Sequence, residues 1–249
     1  MNTTARIVIG VLLVIFGGVA LLSWLSNSNR EESTETYLEV TELVFDLENA
    51  SIEVSAGGDE TVVDMSVSTG FLAPTVELEE SDGVLRLVQD CPSIVFGWGC
   101  QSSFEITVPP GTVLTGGTSN GAITLMGLDG PVNVFTSNGA VAMSDVSSDV
   151  DVRTSNGAIS GSDMTSDALE ANTSNGSIDM DFADAPSDLR LDTSNGRVEV
   201  VLPPDSPPFA LSTSTSNGTV TTEIRTDPAA SDTIEIETSN GDITVRYAE

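Results

Sequence analysis

The sequence predicts an all-β protein, a single-stranded β-helix (solenoid) of right-handed turn with coils of about 18–23 residues, preceded by one N-terminal transmembrane helix. Three observations predict it. Thr-Ser-Asn-Gly occurs seven times, beginning at Thr118, Thr136, Thr154, Thr173, Thr193, Thr215 and Thr238, with spacings of 18, 18, 19, 20, 22 and 23. Aliphatic residues alternate on both sides of each copy. Near the N-terminus a long apolar stretch runs without a charge.

That stretch, Ile7 to Leu25, has nineteen residues, enough at about 1.5 Å per residue to cross one hydrocarbon core. Trp24 stands where an interfacial anchor would sit, and Arg6 with the amino terminus favours the cytoplasmic side. We read residues 1–29 as an uncleaved signal-anchor, with the bulk of the chain outside a cell membrane crossed once. Ser26 to Thr36 is polar and acidic, and residues 30–37 read as a stalk. The solenoid then occupies residues 38–249, with the repeats at 118–241.

Blurred coils come first. Phe45 to Val54 repeats the grammar of the unit with Asn49-Ala50-Ser51 at its bend, and Val84 to Val88 and Phe104 to Val108 alternate as strands. Cys91 and Cys100, the two cysteines of the chain, should close a disulfide outside the membrane, worth about 2.5–3 kcal/mol in the chain-entropy model. Phe96 and Trp98 inside that loop are a candidate contact tip, or a lid over the solenoid.

Two residues after each repeat Gly stands a β-branched aliphatic: Ile123, Val141, Ile159, Ile178, Val198, Val220 and Ile243. Val132 and Val134, Val150 and Val152, Leu189 and Leu191, Ile234 and Ile236 alternate before it. Early units add a third apolar spot at Leu128, Val146 and Met164, which suits a three-sided coil. A meander of hairpins is the competing architecture, because Asn-Gly between alternating hydrophobics favours tight turns. Hairpins do not require the Thr and Ser, whereas stacking places equivalent residues about 4.8 Å apart. On that reading Asn120, Asn138, Asn156, Asn175, Asn195, Asn217 and Asn240 form a buried structural ladder, Thr hydroxyls do likewise, and Gly supplies a positive φ. About ten coils would make a rod about 50 Å long.

The succession of membrane segment, blurred strands, a strand ending in Val108-Pro109-Pro110-Gly111 and then Thr-Ser-Asn-Gly-x-Ile/Val repeats resembles a known family. It is similar to the putative-adhesin domain of unknown function of bacterial and archaeal surface proteins. The resemblance covers nearly everything after the stalk. It implies a membrane-tethered β-solenoid and brings no catalytic residue and no ligand.

Charge restricts function further. Eight basic residues against 38 acidic give a net −30, and the chain holds no His. All eight basic residues are Arg, so His-based triads, His-ligated zinc and lysine chemistry are excluded within the chain. Nucleic acid is excluded as a partner by like charge. The acidic runs Asp145 to Asp151 and Asp179 to Asp184 offer oxygen ligands for Ca²⁺, but lack an established calcium pattern and read as solvated faces; no other cofactor is expected.

The function expected is non-enzymatic: an adhesin-like, envelope-scaffolding or sensing module that contacts an envelope protein or a surface glycan. The alternatives are a polysaccharide-acting lyase or glycosidase using acidic pairs, and a surface polymer assembled end to end. The charge reads as adaptation to high salt. Folding stability should therefore fall as NaCl is lowered from molar to millimolar during refolding, and stability independent of salt removes that reading.

Overall fold

The computed structural model describes residues 30–68, 73–92 and 100–249; the signal-anchor and the Phe96/Trp98 tip lie outside them. Twenty-one strands form two sheets among these residues. No helix among them is long and apolar enough to cross a membrane.

Four strands precede the repeats' grammar or blur it: β1 (Arg30–Tyr37), β2 (Glu42–Leu47), β3 (Ala50–Ala56) and β4 (Thr61–Ser68). They are followed by β5 (Thr75–Ser81), β6 (Val84–Asp90), β7 (Ser102–Val108), β8 (Val113–Thr118) and β9 (Ile123–Met126). The middle coils contribute β10 (Val132–Thr136), β11 (Val141–Ser144), β12 (Val150–Thr154), β13 (Ile159–Met164), β14 (Ala168–Asn175) and β15 (Ile178–Phe182). The last are β16 (Asp188–Asn195), β17 (Val198–Leu202), β18 (Ala210–Asn217), β19 (Val220–Glu223), β20 (Thr233–Asn240) and β21 (Ile243–Tyr247).

Each repeat is one coil: a strand in the 10-stranded sheet, the Thr-Ser-Asn-Gly bend, and a strand in the 11-stranded sheet. Successive coils pair in parallel and in register, so Val132 opposes Val150 and Val141 opposes Ile159. The inward side chains of both sheets meet in one continuous apolar core running the length of the stack. Period-two alternation is what permits this, because it sends most of the aliphatics inward and the carboxylates outward.

The coil has two strand sides, where three were expected. Leu128, Val146 and Met164 are buried as anticipated, but the connections holding Leu128 and Val146 are not strands and Met164 only ends β13. This corner is fastened by single bonds between coils, such as Ser147 N–H to Leu128 O at 2.9 Å and Thr165 N–H to Val146 O at 3.0 Å. Just before it the chain enters the left-handed region at Gly127 (φ 65°), Asp145 (φ 54°) and Asp163 (φ 53°).

At the other bend the repeat Gly needs no positive φ; proximity is the reason for it. A Cβ on Gly139 would lie 1.9 Å from the carbonyl oxygen of Gly121 in the neighbouring coil, and one on Gly157 would lie 1.9 Å from that of Gly139. Thr uses the same oxygen. The Thr136 hydroxyl donates to Gly121 O at 3.0 Å, and the Thr154 hydroxyl to Gly139 O at 2.9 Å. Thr hydroxyls therefore bond to backbone and form no Thr–Thr ladder, since a buried hydroxyl finds a fixed carbonyl closer than the next hydroxyl.

Residues 30–37 are not a stalk. They form β1, which pairs antiparallel with β4 from Arg30↔Ser68 to Tyr37↔Thr61. The alternation of Ser33, Glu35 and Tyr37 suits an edge strand, and β4 offers it a ready partner.

Coil order departs from chain order at both ends. The β20–β21 coil lies between the β16–β17 and β18–β19 coils, so β18–β19 is the terminal coil of the stack. The β2–β3 coil likewise lies between β8–β9 and β6–β7. Antiparallel β5 closes one sheet beyond β6, and antiparallel β4 and β1 close the other beyond β7.

Gly157→Ala should cost at least about 2–3 kcal/mol, because the new methyl meets backbone that cannot rotate away. Chemical denaturation measures this, and a loss below about 1 kcal/mol would show that the coils separate freely at this bend. Ala158→Gly, one residue on at an exposed position, serves as the control.

Candidate functional site

The most regular surface is the edge formed by the Ser-Asn-Gly bends. Asn138 donates its amide to Asn120 Oδ1 at 2.9 Å, Asn156 to Asn138 at 3.0 Å, Asn175 to Asn156 at 3.0 Å and Asn195 to Asn175 at 3.0 Å. The row then follows the spatial order of the coils: Asn240 donates to Asn195 and Asn217 to Asn240. The Nδ2 of Asn156 also reaches Ser137 O at 3.3 Å. All seven residues are exposed, so the ladder lies at the solvent edge and is not buried. The reason is geometric: Thr points inward at the end of the strand, and Asn, two residues on, stands beyond the corner.

One further member heads the row. Asn120 donates to Asn49 Oδ1 at 2.9 Å, which places the Asn49 bend in line with the repeats. The β6–β7 coil lies beyond Asn49, and its wholly buried Gln89 supplies the acceptor for this bend. Its Oε1 accepts from Glu48 N–H at 2.9 Å and Asn49 N–H at 3.2 Å. Its amide lies 3.4 Å from Cys91 Sγ and 3.5 Å from Cys100 Sγ, and Asn49 Nδ2 lies 3.1 Å from Cys91 Sγ. Cys91 and Cys100 are joined as a disulfide with Cα atoms 5.9 Å apart. Gln89 carried no signal in the sequence beyond being a polar residue inside an apolar strand.

Outward faces carry the charge. Glu170, Arg190 and Glu235 are direct neighbours across β14, β16 and β20, and Arg190 lies 3.3 Å from Glu235. Arg153 binds Asp151 at 2.8 Å and Glu170 at 3.4 Å. Partial burial nevertheless holds the Asp151 carboxyl above its usual range, with Arg153 opposing the rise. A folded-state value above the unfolded one means this group favours the fold only as pH falls and it takes up a proton. Along the same column runs a shallow groove of about 770 Å³, crossed by Asn133, Asp151, Glu170 and Arg190 and lined by no aromatic side chain. Among the described residues no three acidic side chains converge to hold a metal ion, and the runs at Asp145 and Asp179 are spread along the surface. Asp179 is engaged instead by Arg197 at 3.0 Å.

This geometry, coils stacked through a Thr-Ser-Asn-Gly edge, coincides with a family match over residues 54–246. The chain belongs to the Toastrack DUF4097 family. No curated protein matches it in sequence. Three solved structures are similar to it at low identity. A putative cell adhesion protein from Clostridium sporogenes is 14% identical over 88% of this chain and 100% of that one, with a TM-score of 0.42. A putative adhesin from Bacteroides fragilis is 14% identical over 88% and 97%, with 0.45. A putative lipid binding protein from Parabacteroides distasonis is 12% identical over 90% and 98%, with 0.47.

The Toastrack edge should respond unevenly to substitution. Asn156→Ala should cost about 0.5–1 kcal/mol, since water can replace the exposed partners. Gln89→Ala should cost about 2–3 kcal/mol, because it strands two backbone N–H groups. Equal losses in denaturant titrations would show that Gln89 is no more important than one rung.

Proposed function

We propose that this chain is a non-enzymatic, membrane-tethered rod on the outer side of a cell membrane, acting as an adhesin-like or scaffolding module of the envelope. One observation carries the reading: the repeated residues are consumed in joining coil to coil. Thr, Asn and Gly each meet the adjacent coil, which leaves a stiff support whose outward faces are free for contact. Family membership supports it, and so does the disulfide, which belongs to an oxidising compartment.

The apolar segment 7–25 is the tether in this reading, and β1 begins at Arg30, directly after it. The rod in this reading starts within a few residues of the membrane, its acid-rich coat held off an anionic bilayer by repulsion. A right-handed coil is part of the proposal, supported by spacings that stretch from 18 to 23 in the connections. The partner sought is an envelope protein or a surface glycan, met by the outward faces.

Alkaline extraction of membranes carrying the full chain tests the tether. The protein should stay with the lipid, and external protease should reach the solenoid in intact cells. Release into the alkaline supernatant, or protection from external protease, overturns the reading.

A further inference from the structure

The two ends of the stack are finished differently. At the end nearest residue 30 the outermost strands are β1 and β5, both antiparallel to their neighbours. They carry Glu31, Glu32 and Glu35, and Glu77, Glu79 and Glu80. Charged side chains on an edge strand are the usual means of keeping other strands from pairing with it. The far end carries much less of it. Its edges are β18 and β19, with no charged residue from Ser206 to Thr222; Glu223 ends β19, and the segment around Thr226 covers only the start of the β18 edge, at Phe209.

That coil is also chemically unfinished. Every other rung accepts an amide on its Asn oxygen, whereas Asn217 Oδ1 accepts none among the described residues. Gly241 O receives the Thr215 hydroxyl, but among the described residues no Thr hydroxyl reaches Gly218 O. Apolar surface is left open too: Val220, in register with the buried Ile243, is 40% exposed, and Leu211, in register with the buried Ile234, is only half-buried.

We propose that this end is a homophilic docking face, on which β18 and β19 pair with the same strands of a second copy across a two-fold axis. The charge distribution selects the occupant. Two chains of net −30 repel wherever their coats meet, and the uncharged stretch from Leu211 to Thr222, whose strands have an open outer edge, is where a second copy can approach closely. An axis perpendicular to the rod turns the facing strands antiparallel, a pairing that backbone N–H and C=O groups satisfy. Because the opposite end is closed by glutamate-bearing strands, assembly stops at two copies. End-to-end polymerisation, the sequence's third possibility, is thereby replaced by a closed pair.

If the tether lies at residues 7–25, an extension that rests on the proposed function, the docking face is the membrane-distal tip. Pairing then joins rods from two opposing membranes.

Sedimentation of the full chain in detergent, titrated in protein and NaCl, tests the docking face. A monomer–dimer equilibrium is expected, tightening as salt shortens the Debye length from about 10 Å at 0.1 M to about 3 Å at 1 M. The double variant Ser214→Glu with Thr221→Glu places charge on outward, exposed edge positions and should weaken association at least tenfold without loss of the folded far-UV spectrum. Ser214→Cys should cross-link two copies under oxidation, whereas Ser160→Cys, in the middle of the rod, should not. A monomer at every concentration, a dimer indifferent to the glutamates, or growth beyond two copies each overturns the proposal. Vesicles loaded with the full chain should cluster, and the glutamate variant should not cluster them. Failure to enter vesicles would count against the tether alone, since the sedimentation result does not depend on it.

Discussion

The fold depends on one contact: a glycine backbone lying against the carbonyl oxygen of the glycine one coil away, with a threonine hydroxyl on that same oxygen. The distance is short enough that any Cβ would fall at about 1.9 Å from the oxygen. Thr and Gly are thus coupled across coils, since the residue that makes room and the residue that bonds share an acceptor. Once this contact sets the height of one coil over the next, strand register follows. Val132 then lies over Leu114 and under Val150, and the core becomes a column of like residues. The Asn row is a consequence of that spacing more than its cause, being exposed and open to exchange with water.

Much of this was legible in the sequence, for a physical reason. Stacking in register demands identity at equivalent positions, so the repeat announces the coil, and alternation announces its strands. Even the Asn49 bend showed itself, although only its Asn survives from the repeat. The roles of individual residues were less legible. A positive φ and a close backbone approach both select Gly, and the letter does not distinguish them; the left-handed position proved to be Gly127, Asp145 and Asp163 at the opposite corner. Thr at a buried strand end has several acceptors in reach, and only coordinates choose the carbonyl. The short polar run at 30–37 read as a linker because its alternation is of polar with polar.

Coil order was illegible because the edge chemistry is degenerate. Every repeat presents the same Thr, Asn and Gly, so the bend at Thr238 can sit on Thr193 as well as Thr215 can. The one trace is in the connections. The two longest spacings, 22 and 23, flank the copy at Thr215, where the chain steps past one coil position and then returns. A step of two coils spans about 9.6 Å where an ordinary one spans about 4.8 Å, and the added residues bridge that difference.

Stacking also explains how a chain of net −30 holds together. Parallel register sets outward residues in columns, so carboxylates at equivalent positions become neighbours about 4.8 Å apart. The few arginines stand where this occurs. Arg190 separates Glu170 from Glu235, and Arg197 and Arg246 reach Asp179 and Glu199, which are direct neighbours across β15 and β17. Each exposed pair is worth little by itself, about 0–1 kcal/mol. Their effect lies in interrupting repulsion along a column that would otherwise accumulate with every added coil. Part of the same column is neutral, through Thr124, Ala142 and Ser160, whereas Asp64, Glu105 and Glu53 stand side by side across β4, β7 and β3, and Asp192 faces Glu237, with no arginine between them. The arginines therefore relieve repulsion in the middle coils, and the columns at Glu105 and Glu237 are left to screening by salt.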